Sequence, residues 1–279
     1  MSLLKRTPVP VLRSIGRLAR LLVKPANSRV VILTYHEVGV GLSIDLFQAQ
    51  MDHLARHARV VDLMTAIKSA DSTNEALTCA ITFDDGYESV YTLAYPILRR
   101  LNFPATIYLN SGLIGESGPR LVSLLDRDRP AHMLNWNQVR EMAANSVTMG
   151  SHLSEHGDLS VIDRVEAMRQ LSDARRDIKS RLGRECVHFA YPFGRLSLES
   201  VSWVREAGHL SAVTMVNRGV RPTDDRLRLP RIGIEDRYNF DDFVGLVRGD
   251  WDYIGALQTL RRPDIRLVGN NPSTEKPVA

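Results

Sequence analysis

The feature that most constrains the fold is a repeated alternation of short apolar runs with longer segments of helical periodicity. Seven runs have the length and the β-branched and aromatic content of buried strands. They span residues 30–35, 78–83, 105–109, 147–151, 187–191, 212–216 and 227–234. Helical patterns lie between them, at 87–101, 136–144 and 161–182 among others. This alternation predicts βαβ units and an α/β domain with a parallel sheet, and seven strands favour a barrel over an open sheet, although spacing alone does not decide this.

The chain divides into a basic arm, one body and a polar tail. We place the arm at residues 1–29, a single domain at 30–262 and a tail, which is rich in Pro and Asn and predicted to be disordered, at 263–279. Within the body, residues 112–133 form a loop-rich insertion that could overhang one mouth of a barrel. Residues 161–182 carry an apolar stripe that we expect to be buried: Val161, Val165, Met168, Leu171, Ile178 and Leu182.

Charge is distributed unevenly between the arm and the rest of the chain. The 279 residues carry 36 Lys and Arg against 32 Asp and Glu, a net charge of +4. The arm has no acidic residue and seven basic ones, which are Lys5, Arg6, Arg13, Arg17, Arg20, Lys24 and Arg29. The remaining 250 residues therefore hold 29 basic and 32 acidic side chains, a net −3. Because the body is slightly acidic and has no basic stripe interleaved with aromatic residues, we expect no nucleic-acid partner.

The arm itself permits two interpretations. Residues 9–23 have the spacing of a basic amphipathic helix, which could make peripheral contact with an anionic membrane surface. The alternative is an ordinary solvated helix or a floppy arm. No run reaches the roughly 18 apolar residues of a spanning helix, and arginines interrupt what would be the core of a cleavable signal peptide. We therefore expect a protein that is cytoplasmic or peripheral at the membrane face.

Reactive side chains follow four of the predicted strands, at the point where each strand ends. The clusters are Tyr35-His36, Asp84-Asp85-Gly86, the run from His152 to His156, and Tyr191-Pro192-Phe193-Gly194. In parallel α/β barrels the C-terminal ends of the strands converge on the active site. Although these clusters are remote in sequence, we expect them to meet at one mouth.

Two of these clusters have the residue types of a divalent metal site. Adjacent carboxylates repel each other, so Asp84 and Asp85 favour a cation, with one carboxylate as a ligand and the other free as a base. The alternative is that they cap the helix predicted at 87–101. His152 and His156 point to one side if they lie on a helix or in a tight turn. Two imidazoles and one carboxylate suit Zn²⁺, and Co²⁺ or Ni²⁺ could substitute.

Three short motifs together resemble the polysaccharide deacetylase family, which is carbohydrate esterase family 4 and is built on the NodB-homology domain. The motifs are Thr82-Phe83-Asp84-Asp85-Gly86, Ser151-His152-Leu153-Ser154-Glu155-His156 and Ala190-Tyr191-Pro192-Phe193-Gly194. The resemblance extends over roughly Val30 to Ile234, within the proposed catalytic domain. It implies a distorted (β/α)7 barrel. It also implies hydrolysis of N-acetyl groups on N-acetylglucosamine-type sugars of a bacterial exopolysaccharide or cell-wall glycan, with release of acetate.

The resemblance also assigns roles to individual residues. It implies that Asp84 is the catalytic base and that Asp85, His152 and His156 are the metal ligands. The backbone N–H of Phe193 would contribute to an oxyanion hole. In the same motif, Tyr191 and Pro192 are candidates for walls of the sugar-binding groove.

Two departures from the family pattern shift the remaining roles. The third motif usually opens with an Arg that orients the catalytic Asp, and Ala190 stands there in this chain. We predict that Arg231 replaces it, the alternative being a surface arginine. The usual late Leu-x-His motif, which supplies the general acid, has no match. The branch that acts on poly-N-acetylglucosamine has Tyr-His on the first strand, so we predict that His36 is the acid, the alternative being a buried structural histidine.

These departures leave two other functions open. One is a catalytically degenerate barrel that only binds carbohydrate, although the presence of both Asp84 and Asp85 argues against it. The other is deacetylation of a small N-acetylated sugar metabolite, since the insertion at 112–133 could close a pocket over a small substrate.

Overall fold

The computed structural model describes residues 8–22, 29–71, 76–118, 121 and 131–261. The predicted tail at 263–279 lies outside the described residues. The strands are β1 (Arg29–Tyr35), β2 (Arg59–Val60), β3 (Leu77–Phe83), β4 (Ala105–Leu109), β5 (Ser117–Gly118), β6 (Ala131–His132), β7 (Val147–Ser151), β8 (His188–Ala190), β9 (Ser211–Val213) and β10 (Ile232–Gly233). The helices are α1 (Val9–Leu22), α2 (Ile44–His57), α3 (Leu63–Ser69), α4 (Tyr95–Arg100), α5 (Trp136–Ala143), α6 (Arg164–Leu182), α7 (Leu198–Glu206), α8 (Phe240–Arg248) and α9 (Tyr253–Arg261).

The main sheet is parallel and curled, with the strand order β10-β1-β3-β4-β7-β8-β9 and β2 beside β3. Every predicted strand contributes to it, so the prediction of an α/β barrel is confirmed. The predicted strand at 227–234 is divided in two. Leu229 pairs with Val213 of β9, whereas Ile232 pairs with Leu33 of β1. Pro230 lies between these two pairings and has no N–H to donate to a ladder. This segment therefore connects both ends of the curled sheet.

The inner face of the barrel changes from apolar to polar along the strands. Side chains of a strand alternate between the two faces of a sheet. A buried apolar cluster therefore takes alternate residues, Val30 and Ile32 of β1 and Ala80 of β3, and packs them against Leu63 and Ile67 of α3. Two residues further on, the same faces present Thr34 and Thr82, both fully buried. On these two strands, Thr34 and Thr82 thus bring buried hydroxyls to the end of the barrel where the strands terminate.

The helical predictions need two corrections. The apolar pattern at 161–182 predicts burial of Val161 and Val165, but both are exposed, at 77% and 83%. Asp163 caps α6 by accepting a bond from the Glu166 N–H, so the helix begins after Val161. Within α6, the buried face is formed by Leu171 and other residues and does not include Val165. The helix predicted at 87–101 is also irregular. A π-helical turn, Val90–Ala94, precedes α4.

The described part of the basic arm is the helix α1, and one face of it packs on the body. Leu12 is buried, and its carbonyl accepts a hydrogen bond from the Tyr253 hydroxyl at 3.0 Å. Arg13 donates two bonds of 2.7 Å to the carboxylate of Asp242 on α8. Gly16 lies so close to the ring of Trp251 that an added Cβ would be 2.9 Å from it. Among the described residues, no helix is long and apolar enough to cross a bilayer.

Candidate active site

The turn after β3 sends two adjacent carboxylates in different directions. The Asp84 N–H continues the sheet by donating to the Tyr35 carbonyl at 3.0 Å. Asp85 and Gly86 then adopt left-handed backbone conformations, with φ of 69° and 82°. An added Cβ at Gly86 would be 3.0 Å from the Leu109 side chain, so a glycine fits both the conformation and the space. As a result, Asp84 and Asp85 contact different partners. The helical turn that follows has Ser89 at its N-cap and no side-chain capping bond, so the capping alternative is excluded.

Arg231 is fully buried and forms a two-pronged ion pair with Asp84. Two guanidinium nitrogens each lie 2.6 Å from a carboxylate oxygen. Burial by itself would raise the pKa of Asp84, but the charge and hydrogen bonds of Arg231 outweigh it and hold that pKa well below its usual range. Asp84 is therefore a carboxylate at neutral pH, and full burial excludes the alternative of a surface arginine.

Four further groups fix the position of the Arg231 guanidinium. It donates to the hydroxyls of Thr34 and Thr82 at 3.0 and 3.2 Å, and to the carbonyl of Thr214. Its central carbon stands 5.5 Å from the centre of the Tyr108 ring, in a cation–π arrangement. The strand-by-strand patterns give no sign of these contacts, because they depend on which strands become neighbours when the barrel curls.

Asp85, His152 and His156 form a buried cluster with the donor atoms of a metal site. Their ligand atoms lie within 4.8 Å of one another. Oδ1 of Asp85 is 3.4 Å from Nε2 of each histidine, and it accepts no hydrogen bond among the described residues. A buried carboxylate oxygen without a donor is costly, and a cation between these three groups would satisfy it. The donor set therefore fits a divalent metal.

His152 is oriented and kept neutral by its surroundings. Its Nδ1 lies 2.7 Å from the Ala190 carbonyl, an arrangement that leaves Nε2 facing Asp85. Burial lowers the pKa of His152 to about 4. A neutral imidazole is the form that binds a metal.

The segment from His152 to His156 is a tight turn rather than a helix. Leu153 and His156 have positive φ values of 68° and 59°. The residues after β4 hold this turn: Asn110 donates to the His152 carbonyl, and the Gly112 N–H donates to the Ser154 carbonyl at 3.0 Å. Asn110 is a site residue that sequence reasoning missed. Its position at the end of an inner strand was the available signal.

The third motif forms a turn beside the metal cluster. The Phe193 ring stands 4.5 Å, centre to centre, from the ring of His156 and is partly exposed. Phe193 has a φ of 58°. The hydrogen bonds of this turn are donated by the N–H groups of Gly194 and Arg195. The Phe193 N–H is the donor in neither of these bonds.

Tyr191 and Pro192 do not form the walls of an open groove, which corrects the prediction for them. Tyr191 is fully buried in a core cluster, and its hydroxyl donates to the Leu227 carbonyl at 2.9 Å. Pro192 is buried as well. The alternation of side chains along β8 explains this, because it turns Tyr191 away from the inner face on which Ala190 lies. Phe193 is the exposed aromatic residue of the motif.

His36 lies at the same mouth and is exposed. It directly follows Tyr35, whose carbonyl accepts the Asp84 N–H, and its charge acts on Asp84 by lowering the pKa of that carboxyl. Exposure excludes the alternative of a buried structural histidine. His209, which precedes β9 in the chain, is buried instead. Its ring centre lies 5.2 Å from that of Phe189.

The base of the insertion adjoins the turn that carries the two carboxylates. Leu134 donates its N–H to the Gly86 carbonyl at 2.9 Å, and Met133 forms an antiparallel bridge with Tyr87. Strands β5 and β6 of the insertion pair in antiparallel fashion. Residues 119–120 and 122–130 lie outside the described part, so the predicted overhang stays a prediction.

Comparison with known proteins identifies the family and the fold of this chain. The profile of the polysaccharide deacetylase family matches residues 71–212, about half of the chain. The chain belongs to the polysaccharide deacetylase family. Solved structures with the same fold include the Streptococcus pyogenes deacetylase PplD in complex with acetate, with a TM-score of 0.67, 20% identity and coverage of 78% of this chain and 98% of that one. IcaB from Ammonifex degensii has a TM-score of 0.65, 21% identity and coverage of 80% and 97%. The predicted (β/α)7 deacetylase barrel is thus confirmed.

Two relatives in this deacetylase family are similar in sequence. YxkH of Bacillus subtilis, which is named after the polysaccharide deacetylases, is 26% identical over 200 residues, covering 68% of this chain and 65% of YxkH. The poly-β-1,6-N-acetyl-D-glucosamine N-deacetylase of Staphylococcus aureus strain MRSA252 is 25% identical over 174 residues, covering 62% of this chain and 58% of that enzyme. The chain thus matches less than two thirds of the length of these relatives.

The arginine that is usual in the third motif, where this chain has Ala190, has a structural counterpart in Arg231. Ala190 lies in the inner apolar cluster together with Tyr108, and its carbonyl holds His152. Arg231 enters from the segment that closes the barrel and reaches Asp84 over the Tyr108 ring. The guanidinium beside Asp84 therefore comes from the segment just before β10 and not from β8.

Proposed function

We propose that this chain is a metal-dependent N-deacetylase. Its substrate would be an N-acetylglucosamine-type sugar within a bacterial exopolysaccharide or cell-wall glycan, and acetate would be released. One observation carries the proposal: an aspartate held ionised by a buried arginine lies next to a buried carboxylate–histidine–histidine cluster. A family member that only binds carbohydrate would need neither feature.

The proposed metal ligands are Asp85, His152 and His156. Zn²⁺ suits two imidazoles and one carboxylate best, and Co²⁺ or Ni²⁺ could occupy the same set. When bound, the cation would supply Lewis acidity, lowering the pKa of the attacking water and polarising the acetamide carbonyl.

The chain's own residues would handle the protons and the developing charge. Asp84, kept as a carboxylate by Arg231, would take the proton from water as its oxygen attacks the acetamide carbon. The Phe193 N–H would donate a hydrogen bond to the carbonyl oxygen as negative charge develops there. His36 would give a proton to the leaving amine as the C–N bond breaks. The products are acetate and a free amino sugar.

The site geometry favours a sugar that is presented from outside. Phe193 and His36 are exposed at the mouth, whereas Asp84 and the proposed metal ligands are buried behind them. The named activity of the Staphylococcus aureus relative supports a poly-N-acetylglucosamine-type substrate.

The decisive experiment is acetate release from β-1,6-linked N-acetylglucosamine oligomers. We expect release by the purified chain with Zn²⁺ or Co²⁺ and none after chelation, with recovery when metal is returned. Monomeric N-acetylated sugars measured in parallel test the small-metabolite alternative. A metal-loaded protein that binds the oligomers and releases no acetate would show that the barrel is degenerate.

A further inference from the structure

Helix α1 presents an apolar stripe on the face that does not touch the body. Val11, Ile15 and Leu18, which we call the outer stripe, are between 42% and 59% exposed. Their spacing of four and three residues places them on one side of a helix. They are three of the few large hydrophobic side chains that are exposed among the described residues.

The contacts of the opposite face hold the outer stripe outward. Arg13 binds both oxygens of Asp242, Leu12 is buried, and Gly16 lies against Trp251. Turning the stripe towards the body would break the ion pair and expose Leu12. The outer stripe is therefore a fixed property of the folded chain.

The charge around the stripe indicates what could cover it. Residues 1–29 hold seven basic side chains and no acidic one, whereas the rest of the chain is net negative. A helix with an apolar face and surrounding basic residues lies in the interface of an anionic bilayer, where apolar burial and attraction to lipid headgroups add together. With 14 residues, α1 is shorter than the roughly 20 residues that cross a bilayer.

A second copy of the chain fits this surface less well. In a symmetric pair, the same patch of both copies would meet, which would bring two arms without any acidic residue together. Three apolar side chains also fall short of the roughly 800 Å² that each partner contributes to a stable interface.

We propose that α1 docks the protein on an anionic membrane surface. The outer stripe enters the headgroup boundary. Arg13 and Arg29 pair with Asp242 and Asp252, so the other five basic residues of positions 1–29 bind the lipid charge. Because the inner face of α1 is packed on α8, the barrel is held directly against the membrane. This proposal does not depend on the chemistry at the mouth.

The test is co-sedimentation of the full chain with vesicles of phosphatidylcholine alone or of phosphatidylcholine mixed with phosphatidylglycerol. We expect at least about tenfold stronger binding to the mixed vesicles, weakened as salt rises because salt screens the attraction. The variant Val11→Ser, Ile15→Ser, Leu18→Ser should lose at least about tenfold in binding. Its thermal unfolding should stay close to that of the unmodified chain, since these side chains are exposed.

A matched control uses three exposed apolar residues elsewhere. The variant Val161→Ser, Val165→Ser, Leu198→Ser should bind vesicles like the unmodified chain, because these positions lie outside the basic arm. Equal binding by the outer-stripe variant and the unmodified chain would overturn the proposal. A dimer in solution that the outer-stripe variant alone loses would also overturn it and assign the stripe to a second copy. Acetate release from a soluble oligomer, measured on the same samples, separates this result from the deacetylase proposal.

Discussion

Asp84 and Asp85 are neighbours in the chain, yet they belong to two different regions of the mouth. Asp84 lies on the inner side, where the protein supplies its own cation, Arg231, at 2.6 Å. Asp85 lies on the side of the histidine turn, where its Oδ1 is buried without a hydrogen bond among the described residues. The left-handed turn at Asp85 makes this separation possible. The fixed positive charge beside Asp84 therefore suits a base, whereas the unsatisfied carboxylate oxygen of Asp85 suits a metal ligand.

The largest expected effect comes from removing a ligand of the proposed metal site beside Asp85. His152→Ala deletes one of two imidazoles, so we expect loss of both bound metal and acetate release. Metal content by elemental analysis and acetate release measure the two effects. Retention of one metal per chain in this variant would contradict the ligand assignment.

Substitution of Asp84 should reduce activity without loss of the metal. Asp84→Asn keeps the shape of the side chain but cannot accept the proton, so we expect acetate release to fall by about 10²–10⁴-fold. Metal content should be unchanged, because Asp84 is not in the ligand cluster. Asp85→Asn is the matched control and should lose metal. If the two variants behaved alike, the division between these carboxylates would be wrong.

The third change removes the fixed cation. Arg231→Met leaves the Asp84 carboxylate buried without its partner, so the pKa of Asp84 should rise and the acidic limb of the pH–rate profile should move to higher pH. Stability should fall by about 3–5 kcal/mol, measured by denaturant unfolding.

A double variant separates the effect of Arg231 on the activity of Asp84 from its effect on stability. Arg231→Met combined with Asp84→Asn removes both charges, so we expect stability to recover while acetate release does not. Arg231→Lys retains the charge but not the two-pronged geometry. Its activity should lie between that of the unmodified chain and that of Arg231→Met. An unchanged pH–rate profile in Arg231→Met would show that the arginine does not act on Asp84.

The smallest expected effect tests a buried histidine at a distance from the mouth. Burial lowers the pKa of His209 to about 3 from 6.5, and neither ring nitrogen has a hydrogen-bond partner among the described residues. Below pH 6.5 the unfolded chain takes up a proton that the folded chain refuses, so stability is present above that pH and is lost as pH falls towards 3. His209→Leu should reduce the loss between pH 7 and pH 5 by up to about 2 kcal/mol.

Urea unfolding at pH 7, 6 and 5 measures this effect. His188 should maintain part of the pH dependence, since burial lowers its pKa to about 4 as well. If His209→Leu lost stability on acidification as steeply as the unmodified chain, the buried histidine would not be the cause.

The prediction that reactive residues meet at one mouth is confirmed, because it needed only the ends of strands. Reactive residues that follow parallel strands meet at one edge of the sheet whatever the details of packing, and the structure brings Asp84, Asp85, His152 and His156 together. The prediction for Tyr191 was wrong because one residue of offset along β8 moves a side chain from the inner face to the outer one. Asn110 and Tyr108 were missed because each acts on a residue from another strand.

The sequence by itself determined the alternating architecture and the residue types available at the mouth, because apolar periodicity and strand ends are local properties of the chain. Only the tertiary structure decided that Arg231 meets Asp84, 147 residues away in sequence, and that α1 hides Leu12 while exposing the outer stripe. Both outcomes depend on which surfaces become neighbours. Arg231 reaches Asp84 from the segment that pairs with both β9 and β1, and one face of α1 is buried because it packs against α8 and Trp251. Contacts of this kind are set by packing across the whole domain, which local periodicity does not encode.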